Sequence, residues 1–203
     1  MINDTTGHGT DVCRVICGTE PLIELLIGQV LDPQGLTTAA ALAAAITWAL
    51  EEGADLIHMS LGLCADRSVL AVAVDGAIKE GCIVVASAPA RGEGSFPARY
   101  PDVLRATGDA RCSRDQISAL NSVQADFGGC PRHVQKRAST ATDSACFGGA
   151  SIGAAHLTRF LVRRIARGSR LAAVRSELCA MATHRGPEHV VSLASLYVVS
   201  PTQ

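Results

Sequence analysis

The sequence predicts an α/β fold of three layers, in which helices cover both faces of a doubly wound, mostly parallel sheet. The main observation is that a helix-like segment, a glycine and a short apolar segment follow one another twice along the chain. Because 48% of the 203 residues are hydrophobic but only 3% are aromatic, the core must consist largely of small aliphatic side chains, which pack closely in layered folds. The length suits one domain spanning residues 1–203.

The N-terminal half begins with two predicted helices. Apolar residues at helical spacing follow the segment TTGHGT, so a helix is expected to begin near His8. After a turn at Gly35, Thr37 or Thr38 can cap the helix AAALAAAITWALEEG, which Gly53 ends.

The alternation of strands and helices continues from there. The segment ADLIHMSLG predicts a buried strand, and SVLAVAVDGAIKEG predicts the next helix with its glycine stop. CIVVASA then repeats the buried strand. Two successive units of this kind predict right-handed crossovers and parallel strand pairing.

The C-terminal half carries weaker signals before its two last helices. The segment FPARYPDVLRATG predicts a proline-containing loop that leads into a short strand. Residues 111–146 mix Gly, Pro, Ser and Asp with short apolar runs, which indicates loops and short edge strands. Ser151 is expected to open the helix ASIGAAHLTRFLVRRIARG, and Ser169 to cap the helix SRLAAVRSELCAMATH.

The charge and hydropathy patterns disfavour two classes of partner. The formal net charge is −1, and the basic residues are dispersed apart from a series that fits a solvated helix face: Arg159, Arg163, Arg164, Arg167 and Arg170. No apolar run approaches the roughly 20 residues of a membrane span, and no signal-peptide pattern begins the sequence. We therefore expect a cytoplasmic protein that binds neither nucleic acid nor membranes.

The eight cysteines are expected to be reduced, buried thiols. Most lie in apolar or small-residue segments, namely Cys13, Cys17, Cys82, Cys112, Cys130, Cys146 and Cys179. Cys13 and Cys17 share a helix face, but a CxxxC pair without a second pair of ligands is a weak metal signal. The sequence therefore predicts no metal and no other cofactor.

Three segments lie where doubly wound sheets hold their active groups, at the carboxyl ends of strands and the starts of the helices that follow. TTGHGT places His8 at a helix start, HMSLG ends a strand, and FGGAS brings Ser151 to another helix start. A serine becomes nucleophilic when a base takes its proton, and neutral imidazole suits that role near neutral pH. Singly, each motif is weak, because a histidine between glycines is more often structural.

Together and in this order, the segments resemble the subtilase family, the subtilisin-like serine peptidases. GHGTDV resembles the family's HGTHVAG block, and ADLIHMSLG resembles its ADVINMSLG block. GCIVVASAPARG resembles the strand that leads to the AGN oxyanion block, FPARYPDVLRATG the YPA-x-YP-x-V-x-x-VGA run, and GGASIGAAHL the GTSMAAPHVAG block. The resemblance covers nearly the whole chain and implies a subtilisin-like fold.

The resemblance implies catalytic roles for two of the matched residues. His8 would be the general base and Ser151 the nucleophile, with Ser151 also contributing its backbone N–H to the oxyanion region. His156 matches a structural histidine of the family's serine helix. The other histidines carry no motif and are expected to be solvated or packed: His58, His133, His184 and His189.

The resemblance also implies a substrate site. Ser60, Leu61 and Gly62 would pair with an extended substrate through backbone hydrogen bonds. Ser87 and Ala88, in the strand that leads to the oxyanion block, would complete this site.

The chain departs from the family pattern at two catalytic positions. The family's triad aspartate lies upstream of the HGT block in a D-[ST]-G motif, whereas only seven residues precede His8 here. Asp4 instead fits the loop pattern D-x-x-G-H-G-T and is expected to cap the turn. Ala90, or Pro89 in a shifted register, takes the place of the oxyanion asparagine, and neither side chain donates a hydrogen bond.

These features leave three functions open. The first is an atypical, minimal serine peptidase that transfers an acyl group from a peptide bond to Ser151, with His8 as general base, in the maturation of a precursor peptide or protein. The second is a pseudoprotease that binds a peptide or a partner protein without cleaving it. The third is a ligase or cyclase that passes the acyl group to an amine.

A protein partner is a further expectation. A subtilase fold without its first catalytic strand leaves a sheet position beside His8 unfilled, and a soluble protein normally covers such an edge. We expect a second copy of the chain or a partner protein to occupy it.

Overall fold

A computed structural model describes residues 4, 6–18, 23–132, 149–164 and 169–188. Within these ranges lie five helices and six strands. The helices are α1 (His8–Cys17), α2 (Ala39–Glu51), α3 (Ser68–Lys79), α4 (Gly149–Val162) and α5 (Leu171–Met181). The strands are β1 (Leu56–Met59), β2 (Ile83–Ser87), β3 (Leu104–Gly108), β4 (Ile117–Ala119), β5 (Phe127–Gly129) and β6 (His184–Arg185).

The strands form one mostly parallel sheet in the order β1-β2-β3-β5-β4-β6. Strands β1, β2, β3 and β5 pair in parallel, β4 runs antiparallel to β5, and β6 is parallel to β4. The parallel pairing of β1 with β2, which α3 connects, is the pairing that the repeated helix–strand unit predicts. The predicted α/β class is confirmed.

The strands within residues 111–146 correct one expectation. Short strands do form in this region, but β5 lies between β3 and β4, and β4 lies between β5 and β6, so neither is an edge strand. Residue His184, expected in the last helix, belongs to β6, because α5 ends at Met181. The N–H of Thr183 donates to the carbonyl of Ile117 at 2.9 Å, which draws this segment onto the sheet.

The helix starts agree with the sequence for α1, α2 and α3 and differ for α4 and α5. The Thr38 hydroxyl accepts the backbone N–H of Ala41 at 3.1 Å, so Thr38 caps α2 as one of the two expected caps. Helix α4 already begins at Gly149, so Ser151 is its third residue. Arg170 is the N-cap of α5, and the expected cap Ser169 lies one position earlier.

The core has two apolar layers, one on each face of the sheet. Alternating residues of β2 separate them: Val84 and Ala86 join the cluster with α2 and α3, whereas Ile83 and Val85 join the cluster with α4 and α5. Helix α1 packs on α4 rather than on the sheet, through a buried cluster of Val12, Val15, Ile16, Ile152 and Ala155. This packing brings the first turns of α1 and α4 to the same side of the sheet.

Glycines allow α4 to lie directly on the backbone of the sheet. A Cβ at Gly153 would lie 2.5 Å from the Cα of Gly108 and would collide with the carbonyl oxygen of Thr107. A Cβ at Gly129 of β5 would in turn collide with the carbonyl oxygen of Gly153. Because no side chain separates the two backbones here, α4 sits closer to β3 and β5 than other residues would allow.

An ion-pair cluster joins α5 to the start of β5. The Asp126 carboxylate accepts hydrogen bonds from Arg105 at 2.5 Å and from Arg175 of α5 at 3.0 Å. Burial alone would raise the pKa of Asp126, but these hydrogen bonds hold it below its usual range.

None of the helices within the described ranges is long and apolar enough to span a membrane.

Candidate active site

His8 is the first residue of α1 and is exposed to solvent. The helix start is capped from outside by Asp4, whose carboxylate accepts the N–H of Gly7 at 2.9 Å and both the N–H and the hydroxyl of Thr10 at 2.7 Å. The hydrogen bonds from Thr10 hold the pKa of Asp4 below its usual range. Asp4 therefore caps α1, as expected, and places a negative charge at the positive end of the helix dipole.

The His8 imidazole has no carboxylate partner among the residues that the structure describes. Both Asp4 oxygens are engaged by the start of α1. The hydrogen bond that His8 does make is through its backbone N–H, to the Thr6 hydroxyl at 3.2 Å. No carboxylate among the described residues therefore fixes the tautomer or the orientation of the imidazole.

Ser151 lies at the start of α4, where this helix meets the end of β1. Its side chain is half-buried, and its hydroxyl donates to the carbonyl oxygen of Ser60 at 3.4 Å. His8 and Ser151 are both described, and no hydrogen bond joins their side chains; they lie in the first turns of two helices that pack on each other. A 3.4 Å hydrogen bond is long and weak, so the Ser151 hydroxyl can exchange it readily.

The segment from Ser60 to Gly62 leaves the sheet immediately after β1. Within the described chain, the main-chain groups of Leu61 and Gly62 make no backbone–backbone hydrogen bond, whereas Leu63 and Phe96 exchange two, at 2.7 and 2.9 Å. A Cβ at Gly62 would lie 2.6 Å from the Cβ of Ser95, so the neighbouring loop packs tightly against this glycine. The segment is therefore anchored at its far end with main-chain groups available beside Ser151.

The other candidate residues lie at the end of β2, the strand next to β1, and just beyond it. Ser87 and Ala88 are buried, and the N–H of Ala88 donates to the carbonyl of Ala106 at 2.7 Å. Ala90 is exposed just beyond the sheet. Since β1 and β2 are parallel, Ser60 and Ser87 both lie at the carboxyl-terminal ends of these strands. The methyl group at position 90 offers no hydrogen-bond donor at this end of the strands.

The structure adds His58 to the site, a residue to which the sequence assigned no motif. Its Nε2 lies 2.5 Å from the Ser60 hydroxyl oxygen, and its Nδ1 lies 2.8 Å from the Thr158 hydroxyl oxygen of α4. Burial lowers the pKa of His58 to about 4, and the charge of His8 acts in the same direction. One signal could have found it: a histidine inside an otherwise apolar strand needs polar partners, and Ser60 follows at i+2, on the same face.

The remaining histidines lie apart from these contacts. His156 is 2% exposed, its Nε2 lies 3.2 Å from the Arg132 carbonyl oxygen, and burial lowers its pKa. His184 bonds to the carbonyl of Arg111 at 3.1 Å. His133 and His189 lie outside the described residues.

The cysteines that the structure describes are free thiols. Cys82, Cys112 and Cys130 are buried as expected. The expectation is wrong for Cys13, Cys17 and Cys179, which are only partly buried, and for Cys64, which is exposed. In the described part of the chain, no group of three or more His, Cys, Asp or Glu side chains could hold a metal ion. Cys146 lies outside the described residues.

Sequence comparison places these features in a known context. A sequence model of the Subtilase family matches residues 1–163. Subtilisin DY from Bacillus licheniformis is 32% identical over 139 residues, which is 61% of this chain and 50% of that protein. The chain spans half or less of the length of the curated relatives it matches.

Solved structures show the same fold. The prenylagaramide maturation protease PagA superposes with a TM-score of 0.59 at 17% identity, over 87% of this chain and 72% of that chain. A lanthipeptide protease superposes with a TM-score of 0.57 at 16% identity, over 87% of this chain and 68% of that chain. The mostly parallel sheet, the ordered sequence blocks and the match over residues 1–163 together show that this chain belongs to the subtilase family.

Proposed function

We propose that this chain is an atypical, minimal subtilisin-like serine peptidase that acts as one domain and cleaves a peptide bond through Ser151, with His8 as general base. One observation carries the proposal. The Ser151 hydroxyl hydrogen-bonds to Ser60, the first residue of the segment that would pair with the substrate. The nucleophile therefore lies beside the main-chain groups that would hold the peptide.

The chemical steps assign one role to each residue. The Ser151 hydroxyl leaves the Ser60 carbonyl, gives its proton to the His8 imidazole and attacks the carbonyl carbon of the peptide bond. The C–N bond then breaks as His8 returns the proton to the leaving amine, and an ester to Ser151 remains. Water, with His8 again as base, hydrolyses this ester. The backbone N–H of Ser151, near the start of α4, is a donor toward the developing oxyanion.

The arrangement supports slow, selective cleavage rather than general digestion. Loss of a triad aspartate lowers turnover about 10⁴-fold, and loss of one oxyanion donor lowers it about 10²–10³-fold. Among the described residues no carboxylate bonds to the His8 imidazole, and the side chain of Ala90 supplies no donor. Turnover at this level suits a single cut in a bound precursor.

The proposed substrate is a precursor peptide or protein in extended conformation. The free main-chain groups of Leu61 and Gly62 can pair with it as an added strand. Ser87 and Ala88 lie beside them, at the carboxyl-terminal end of the neighbouring strand. The names of two proteins that share the fold, a prenylagaramide maturation protease and a lanthipeptide protease, support this substrate class.

A partner at the free sheet edge is part of the proposal. In the described chain β1 is the terminal strand of the sheet, and three of its four residues are only partly buried, whereas β2 is buried throughout. Residues 23–30 pair with no strand, and they expose Leu25 and Ile27 by 37% and 39%. We propose that a second copy or a partner protein covers this edge and brings a carboxylate to His8. Size-exclusion chromatography with light scattering tests the homo-oligomer version.

A pseudoprotease is the second candidate, and one observation favours it. The His8 ring is exposed and, within the described residues, lacks the hydrogen bond that would hold its productive tautomer. In this case the Ser60–Gly62 segment would still bind an extended peptide, because that recognition uses the main chain.

We further propose that the protein acts in the cytoplasm. The described cysteines are free thiols, and burial raises the pKa of Cys82 to about 12 and of Cys112 to about 11, which keeps them protonated. Reduced thiols of this kind persist in a reducing compartment. Fractionation of the producing cell, with detection of the native protein, tests this location.

A fluorophosphonate probe decides between peptidase and pseudoprotease. We expect labelling of the wild type, loss of labelling in Ser151→Ala, and strong reduction in His8→Ala. Ser176→Ala is the matched control, because Ser176 is an exposed serine on α5. A folded wild type that the probe leaves unlabelled would favour the binding module.

A further inference from the structure

His58 links the end of β1 to helix α4 beside the candidate nucleophile. One ring nitrogen bonds to the Ser60 hydroxyl at 2.5 Å, and the other bonds to the Thr158 hydroxyl at 2.8 Å. Ser151 and Thr158 are seven residues apart, or two turns, so they lie on the same face of α4. Ser151 itself bonds to the Ser60 carbonyl at 3.4 Å. These contacts form a closed loop that joins strand, substrate segment and helix.

The link holds in either neutral tautomer of the imidazole. Hydroxyl groups can donate or accept, so whichever nitrogen carries the proton, both hydrogen bonds form. Thr158 is 1% exposed, so its hydroxyl is shielded from competing water. Because both ring nitrogens are occupied, His58 is not free to act as the base for Ser151.

We propose that His58 is a positioning residue that sets the register between the substrate-pairing segment Ser60–Gly62 and the helix that carries Ser151. This inference rests on the proposed function. A strand-paired peptide receives its position from Ser60–Gly62, whereas the nucleophile receives its position from α4. The attacking and attacked atoms must meet within roughly 3–3.5 Å, so the two supports need a fixed relation. His58 supplies it by joining Ser60 to Thr158.

Two phosphonate probes separate this role from a general structural one. A small alkyl fluorophosphonate reaches Ser151 without pairing to the substrate segment. A succinylated tetra-alanyl diphenyl phosphonate depends on that pairing. In each case the Ser151 oxygen forms a bond to phosphorus, fluoride or phenoxide leaves, and His8 takes the proton. The second-order labelling rate with each probe is measured for every variant.

We expect His58→Phe to lower the rate with the peptidyl probe about 10- to 100-fold while changing the rate with the small probe less than about 3-fold. Thr158→Val, which removes only the hydroxyl, should reproduce this selective loss, and the double variant should be no slower than either single one. His58→Gln, which keeps a donor and an acceptor, should recover part of the rate.

Thr107→Val is the matched control, because Thr107 is a buried threonine whose hydroxyl has no hydrogen-bond partner among the described residues. It should leave both rates unchanged. Equal losses with both probes, or no loss with the peptidyl probe, would overturn the positioning role. If His58→Phe does not fold, the two rates of Thr158→Val test the same link from its other end. A wild type that reacts with neither probe would instead refute the proposed function, and this inference with it.

Discussion

Acid should destabilise this fold through His58 at a pH well above the range in which carboxylates titrate. The ordinary pKa of 6.5 falls to about 4 in the folded protein because of burial and, second, the charge of His8. Between these values the unfolded chain binds a proton that the folded chain does not. The stabilisation is therefore fully present above pH 6.5 and is lost as the pH falls toward 4.

The size of the effect follows from the two pKa values. The full difference is about 3 kcal/mol in the free energy of unfolding, and about 2 kcal/mol of it is lost by about pH 5. His156, whose pKa burial also lowers, adds a loss in the same direction. The carboxylates with lowered pKa, Asp4, Asp109 and Asp126, act only at lower pH.

Urea unfolding of the wild type and of His58→Gln, at several pH values from about 7.5 to 5, isolates this contribution. Subtraction removes His156, which both proteins contain. We expect the wild type to lose about 2 kcal/mol more than the variant over this range. Parallel pH profiles of the two proteins would show that His58 titrates normally, and would refute the reasoning that its ring is held neutral between β1 and α4.

Three further predictions concern the packing of α4, the ion-pair cluster and the oxyanion position. Gly153→Ala should lower the free energy of unfolding by about 1–3 kcal/mol, because the added Cβ would lie 2.5 Å from a backbone atom. Gly76→Ala on α3, where nothing lies within 4 Å, should be neutral or stabilising by up to about 1 kcal/mol, and calorimetric melting compares the two variants. Asp126→Ala should cost about 1–3 kcal/mol, because it leaves Arg105 and Arg175, whose side chains are each about one-third exposed, without their carboxylate. Urea unfolding at pH 7 would measure this cost, and an unchanged midpoint would contradict the cluster's role. Ala90→Asn should raise the labelling rate with the peptidyl phosphonate by up to about 10²-fold, and a folded variant with no gain would show that another donor fills this place or that Pro89 holds the register.

The sequence predicted the elements whose stability is local. Helix α2 has a capping threonine, small helix-favouring residues and a glycine stop, and β2 is a continuous apolar run, so each can be recognised within its own residues. Strand β5 cannot, because two of its three residues are glycines, which disfavour strands. It forms because Gly129 allows close contact with α4 and Gly128 allows close contact with Ser118 and Asp109, contacts that a short-range pattern cannot reveal.

The residues of the candidate site also differ in whether a local sequence pattern reveals them. His8 and Ser151 stand out because each lies in a short block with flanking glycines. His58 was missed because its partner Thr158 lies 100 residues away, and no local pattern joins them. The start of α5 was misassigned by one position. Serine is a preferred N-cap residue, but the residue at the N-cap position of this helix is Arg170.

The direct contact between α4 and the glycines of the sheet has a consequence for how this chain can vary. At Gly108, Gly129 and Gly153 the spacing between helix and sheet is set by covalent backbone geometry and not by side-chain volume. Exchanges among the aliphatic residues elsewhere in the core can therefore change stability while Ser151, two residues from Gly153, keeps its place. The location of Ser151, the candidate nucleophile, is therefore protected from the substitutions that a core most readily accepts. Sequence drift in this protein should lower its melting temperature before it displaces Ser151.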